Sequence, residues 1–161
     1  MAYNFGTYIN FFRDLAEHHN TINYFVFGNA RQIIDEQKSS FQYPCLILDI
    51  PEISSSGDNQ DSLLFNISGS IQILKQYAKG DFAAKEQVLV DTEKLIRDVI
   101  SYIRKFASFQ IQVDSPRLIF TNIRMQIQEA YTANNLAGWI ITFNYKYAPN
   151  YEFNSNKWTI I

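Results

Sequence analysis

His18 and His19 are the only histidines in the chain, and they stand side by side. A metal held on a helix takes ligands at i and i+3 or i+4, which share a face, whereas adjacent helical residues project about 100° apart. Glu17 does not repair that spacing, so the pair reads as helix-end histidines, which suit the negative end of the helix dipole. The single cysteine, Cys45, sits in the apolar run Leu46, Ile47, Leu48 and reads as a small buried core residue. A Cys-His nucleophile pair would need a tertiary contact with the helix-end histidines. One cysteine also excludes an intrachain disulfide.

Asp49, Glu52, Asp58 and Asp61 lie along one polar stretch, and several carboxylates on a loop are the usual means of holding Ca²⁺. Their spacing lacks the alternating ligands and closing Glu of an EF-hand, so they read as solvated loop acids. Lys75, Lys79 and Lys85 with Tyr77 and Phe82 are placed to touch a nucleic-acid backbone, but Asp81 and Glu86 cancel most of that field, and the group reads as a solvated rim. There is no Gly-rich phosphate loop, nucleophile elbow or HExxH. The residues therefore predict no catalytic group, no bound metal and no cofactor, and the chain reads as a non-enzyme.

The elements that carry these residues are legible from periodicity. Phe5, Tyr8, Ile9, Phe12, Leu15, Ala16 and His19 recur at the spacing of one helical face, with Asn4 placed to cap it, which predicts a helix over 5–18. A turn over 20–23, a short apolar strand over 24–27 closed by Gly28, and a short helix over 30–38 with Ile33 and Ile34 inward follow. Residues 43–50 form an apolar strand dense enough to be covered on both faces, ended by Pro51. The polar segment 52–61, with three consecutive serines and Gly57-Asp58, reads as a mobile hairpin loop. In the long strand over 62–77, Phe65, Ile67, Ile71 and Ile73 alternate with Asn66, Ser68, Ser70 and Gln72, and Gly69 interrupts the apolar face, suggesting a bulge or a close neighbouring backbone.

Asp81 is placed to cap the dominant helix, whose stripe runs through Val88, Thr92, Leu95, Ile96, Val99, Ile103 and Phe106. Strands over 109–113 and 118–128 come next, the latter setting Ile119, Ile123, Met125 and Ile127 against Asn122, Arg124, Gln126 and Gln128. After the turn at Ala133-Asn134-Asn135, the last strand puts Trp139, Ile141, Phe143, Tyr145 and Tyr147 on one face and Ile140, Thr142, Asn144 and Lys146 on the other. This order predicts the α+β class, with a mainly antiparallel sheet and the helices, one long and one shorter, packed on one face. The opposite sheet face is rich in Asn, Gln, Ser and Thr, suited to water or to a polar subunit interface. A single domain over 1–148 is followed by an aromatic arm over 149–161, which carries Tyr151, Phe153 and Trp158.

Bulk composition narrows the function classes. At 161 residues the chain suffices for one domain that buries roughly 70% of its unfolded surface, without disulfide or metal staples. A formal net charge of -2 gives no global attraction to nucleic acid or anionic membrane. No apolar run approaches the roughly 20 residues needed to cross a bilayer, and Met1 to Phe5 do not open a secretory signal. A soluble protein made in a cytoplasm is expected. Aromatic residues reach 16%, an excess that fits a large core or an interface rich in Tyr and Trp.

Four segments carry a family resemblance: Tyr43-Pro44-Cys45-Leu46-Ile47-Leu48, the strand over 65–74, the helix over 92–106, and Asn134-Asn135-Leu136-Ala137-Gly138-Trp139 with its Gly-Trp turn. In order and length the chain resembles the tail-terminator, tail-completion and neck (head-tail joining) proteins of tailed bacteriophages. The resemblance implies a structural virion protein, made in the host cytoplasm, that forms a homo-oligomeric, hexameric ring at the tail-neck junction. Such a ring terminates the tail tube, joins it to the connector and neck proteins, passes DNA without reading its sequence and involves no membrane. The interface residues expected on this reading are Asp58, Asn59 and Asp61 in the polar loop and Tyr151, Phe153 and Trp158 in the arm. No Lys or Arg cluster marks a DNA-facing lumen, a departure from the simplest form of that role. The alternative from the residues is a small-ligand binding module whose pocket is lined by Tyr8, Phe12, Tyr102, Trp139 and Phe143.

Overall fold

Every strand of the sheet is placed, directly or through one neighbour, by a single long strand. The computed structural model describes residues 5–37, 40–56, 64–109, 119–129, 131 and 134–147. In chain order the elements are α1 (Phe5–Glu17), β1 (Tyr24–Phe27), α2 (Ala30–Gln37), β2 (Cys45–Leu48), β3 (Glu52–Ser56), β4 (Leu64–Gln76), α3 (Phe82–Phe109), β5 (Ile119–Gln128) and β6 (Leu136–Tyr147). One edge of β4 pairs with β6 from Phe65 to Gln76, and its other edge is shared by β3 and β2. The sheet order is β1-β2-β4-β6-β5, with β3 beside β4, and only β1 and β2 run parallel. The class is α+β with a mainly antiparallel sheet, and long α3 and shorter α1 lie on one face, as the residue pattern predicts.

That face is sealed by side chains at helical spacing. Tyr8, Phe11, Phe12, Leu15 and Ala16 of α1 are buried, together with Val88, Thr92, Leu95, Ile96, Val99 and Ile103 of α3. They close over Ile67, Ile71 and Ile73 of β4 and Ile141, Phe143 and Tyr145 of β6. Removing this much apolar surface from water is the main stabilising term of the fold. Asp81 caps α3 as its position implies, its Oδ1 accepting the Ala84 N–H at 2.8 Å. Buried Thr92 satisfies its hydroxyl within the helix, donating to the Val88 carbonyl at 2.7 Å.

Helix α2 departs from the expectation that the helices gather on one face. Its Ala30 and Ile34 pack with Phe41, Cys45, Ile47, Leu74, Tyr131 and Leu136 on the opposite side of the sheet. The reason lies in β2, whose four residues are all buried: Leu46 and Leu48 face α1 and α3, so Cys45 and Ile47 need a second cover.

Four further expectations are corrected. Residues 52–56 are strand rather than loop, because β3 hydrogen-bonds along β4 from Glu52↔Ser68 to Ser56↔Leu64. Pairing with an existing strand offsets the weak propensity of its three serines. Gly69 marks neither a bulge nor a neighbouring backbone, since its register with Phe143 is regular. A Cβ there would meet the Tyr8 hydroxyl at 2.5 Å and the Phe143 ring at 2.9 Å. The bulge is in β5, where Asn122 and Ile123 face the single residue Phe143 and Asn122 adopts φ 55°. Gly138-Trp139 is not a turn but part of β6; the turn is at Asn134-Asn135, with Asn135 at φ 55°. Only glycine fits at 138, where any Cβ would collide with the Ile73 carbonyl. Finally, Phe109 ends α3 instead of opening a strand, and 110–113 lie outside the described residues.

Candidate functional site: the polar sheet face and its edges

Alternation in β4, β6 and β5 delivers one row of polar side chains after another to the face opposite α1 and α3. Ser70 is opposite Thr142, which is opposite Arg124; Ser68 is opposite Asn144 on one side and Glu52 on the other. Ser68 Oγ donates to Asn144 Oδ1 at 3.1 Å, and Asn66 Nδ2 donates to Ser56 Oγ at 2.9 Å. Ser68, Ser70, Asn122, Arg124, Thr142 and Asn144 rim an open concavity of about 440 Å³, floored by Gly69 and Phe143. The β5 bulge inserts its extra residue beside this hollow.

Asp49 anchors the end of the face nearest α2. Its Oδ2 accepts from Ser70 Oγ at 2.6 Å and from Gln72 Nε2 at 2.8 Å, while Oδ1 accepts the Ala30 N–H at 3.3 Å. Gln72 is buried, and its Oε1 accepts from Gln128 Nε2 at 3.3 Å, so the network reaches from β2 to β5. Asp49 is therefore not a solvated loop acid. It is a half-buried hub that supports the first turn of α2, beside the Asn29 cap whose Oδ1 accepts from Gln32 N–H at 3.1 Å. Tyr131 also reaches Gln72, and its phenol pKa is raised chiefly by burial.

The remaining chemistry-bearing residues are scattered. His18 Nδ1 donates to the Asp14 carbonyl at 2.7 Å, while His19 Nδ1 accepts the Thr21 N–H at 3.2 Å and turns its Nε2 toward Asp98 at 3.7 Å. Cys45 is fully buried, and that burial pushes its thiol pKa up to about 12. Lys75 pairs with Asp91 at 2.8 Å and Lys85 with Glu129 at 3.0 Å, so two of the three rim lysines are committed to neighbours. The Lys75 contact, with help from Gln87, holds the Asp91 carboxyl below its ordinary range. Among the described residues no group of three His, Cys, Asp or Glu side chains could hold a metal ion, and no helix is long and apolar enough to cross a membrane.

The expected aromatic pocket is a packed core. Tyr8, Phe12 and Phe143 are 1%, 0% and 2% exposed, and their rings touch: Tyr8 to Phe12 at 5.3 Å and Phe12 to Phe143 at 5.6 Å between centroids. Tyr102 packs on Phe11 at 5.9 Å. Trp139 donates its indole N–H to the Leu89 carbonyl at 2.9 Å, fastening α3 to the sheet. The expected interface residues Asp58, Asn59, Asp61, Tyr151, Phe153 and Trp158 lie outside the described residues, as does the arm over 149–161.

The edges of the sheet carry surface groups that the residue pattern did not single out. Every residue of β3 is exposed, and Ile53 is 45% exposed. At the opposite edge, β5 exposes Arg124 and leaves Ile127 at 48%. Among the described residues no strand lies outside β5 on one side or outside β1 and β3 on the other, and no carboxylate pairs with Arg124. One signal was available: Arg124 is the only charged residue in β5. Comparison with models of known protein families gives no match, and comparison with curated proteins gives none either.

Proposed function

We propose that this chain is a non-enzymatic structural protein whose copies assemble head to tail into a closed ring, at the tail-neck junction of a tailed-phage virion. The observation that carries the assembly part is the set of open strand edges on opposite sides of one sheet, β5 on one side and β1 and β3 on the other. Exposed strand edges invite pairing with another chain, and folds that stay monomeric normally blunt or cover them. A surface on one side of a subunit that meets a different surface on the next is heterologous, and it closes into a ring when the rotation permits. The half-open polar face between the edges suits a wet subunit or lumen surface. The phage assignment rests on the family resemblance in the sequence, which also supplies the hexameric count, the tail-tube and connector partners and the passage of DNA.

Light scattering on the full chain over a wide concentration range tests this reading. An oligomer several times 18.8 kDa, seen as closed rings in negative-stain micrographs, is the expected result. A monomer at every concentration, with no rings on the grid, would overturn it. Capsid, portal or tail-sheath genes beside its own would sharpen the assignment to the virion.

A further inference from the structure

The β5 bulge decides which face Arg124 serves. Thr121 is opposite Asn144, and the same register continued without the extra residue would set Arg124 opposite Ile141, on the helix side. With the bulge, Arg124 is opposite Thr142, Ile123 packs into the core, and Asn122, at φ 55°, lines the polar hollow. One inserted residue thus delivers both a cation and an amide to the open face. Of the described residues that line the hollow, Arg124 alone is charged. Nearby carboxylates do not compete for it: Asp49 turns to Ser70 and Gln72, and Glu52 is three strands from β5, about 14 Å at the usual spacing.

The donors around Arg124 are open as well. Ser68 gives its proton to Asn144 Oδ1, which leaves the Asn144 Nδ2 hydrogens for the hollow, while Ser70 gives its proton to Asp49. Among the described residues the side chains of Asn122, Arg124 and Thr142 make no hydrogen bond and no ion pair. We propose that this hollow binds the phosphate group of a phosphate ester, with Arg124 forked on two of its oxygens and Asn122, Thr142 and Asn144 donating to the rest. A carboxylate has two oxygens in one plane, which a guanidinium alone satisfies. Donors on two strands and at a bulge suit oxygens spread around a tetrahedral centre. A hollow of about 440 Å³ is larger than one phosphate fills and lies in the range of small-ligand sites, so its remainder holds the esterified part. Each copy carries the whole hollow, so the site goes beyond the assembly reading and does not need it.

Phosphorus NMR of inorganic phosphate added to the full chain tests the site. With ionic strength held constant by chloride, the phosphate line should broaden saturably, and sulfate should compete for the same sites. Arg124→Gln should weaken binding by about tenfold or more, and Asn122→Gly, which removes the amide but keeps the left-handed backbone, by about threefold. No saturable broadening, or binding unchanged in either variant, would overturn the site. Equal weakening by Arg97→Gln, an exposed α3 arginine paired with Glu93, would reduce the effect to net charge and overturn it too. Thymidine monophosphate should bind more tightly than inorganic phosphate, and failure to do so would overturn the ester. A short thymidine oligonucleotide then separates the sources: no further gain marks a free ester, and a further gain that falls with salt marks a polynucleotide backbone. A wild type that binds phosphate as a monomer would remove the ring and leave this site standing.

Discussion

On the helix side of the sheet, Ile71, Phe143 and Tyr145 are closed over by the rings of α1 and the stripe of α3; on the other side Ser70, Thr142 and Asn144, one residue away along the same strands, stay half open. The backbone is shared, so the difference lies in what each row of side chains asks of its surroundings. The apolar rows need cover and obtain it from the same chain. The polar rows hydrogen-bond laterally, from Ser56 to Asn66, from Ser68 to Asn144, and from Asp49 through Gln72 to Gln128, and so tolerate an open front. Stability is thus concentrated on the helix side, and the part of the other face that α2 does not cover is left available for contact.

That contrast can be broken by substitution. Phe12→Ala, on the sealed side, should cost about 3–5 kcal/mol in urea unfolding, because a ring packed on Tyr8 and Phe143 leaves a cavity. Gly138→Ala should cost about 3 kcal/mol, near the top of the overpacking range, since the new methyl must push β4 away from β6. Asp49→Ala should cost about 2 kcal/mol by leaving Gln72 without its acceptor in a buried site, with the loss showing first as fraying of α2 in hydrogen exchange. Were Asp49→Ala as damaging as Phe12→Ala, the division between a stabilising face and an available one would fail.

The smallest expected effect is one of pH. Asp91 has its carboxyl pKa lowered in the folded state, so its contact with Lys75 contributes stability above the unfolded carboxylate pKa, and this is lost as pH falls through the folded value. Asp91→Asn should flatten the acid limb of the stability profile slightly, by less than about 1 kcal/mol for a pair this exposed. A larger change would mean that the α3 rim does more than an ordinary surface pair.

The sequence made the sealed face readable because every buried residue there obeys a period. Helix α1, α2 and the stripe of α3 follow helical spacing, β1, β2, β4 and β6 follow strand patterns, and Asp81 marks its cap. The open face was less readable for physical reasons. Strand β3 is Glu-Ile-Ser-Ser-Ser, which has no apolar alternation because neither of its sides is buried, and only its ladder with β4 makes it a strand. The role of Asp49 depends on Ser70 and Gln72, which the sheet order and not the sequence brings alongside. The β5 bulge was hidden because its hydrophobic spacing stays regular across Asn122.

Trp139 gives the molecule a built-in optical gauge. Its indole is anchored on the Leu89 carbonyl of α3 while its backbone belongs to the middle of the sheet, so its emission reports whether the long helix is seated. With Trp158 replaced by Phe, Trp139 becomes the sole tryptophan, and a red shift in its emission should follow lifting of α3. The same signal can be followed while copies associate. A contact confined to the strand edges should leave its wavelength unmoved, and rearrangement of the helix layer on assembly should not.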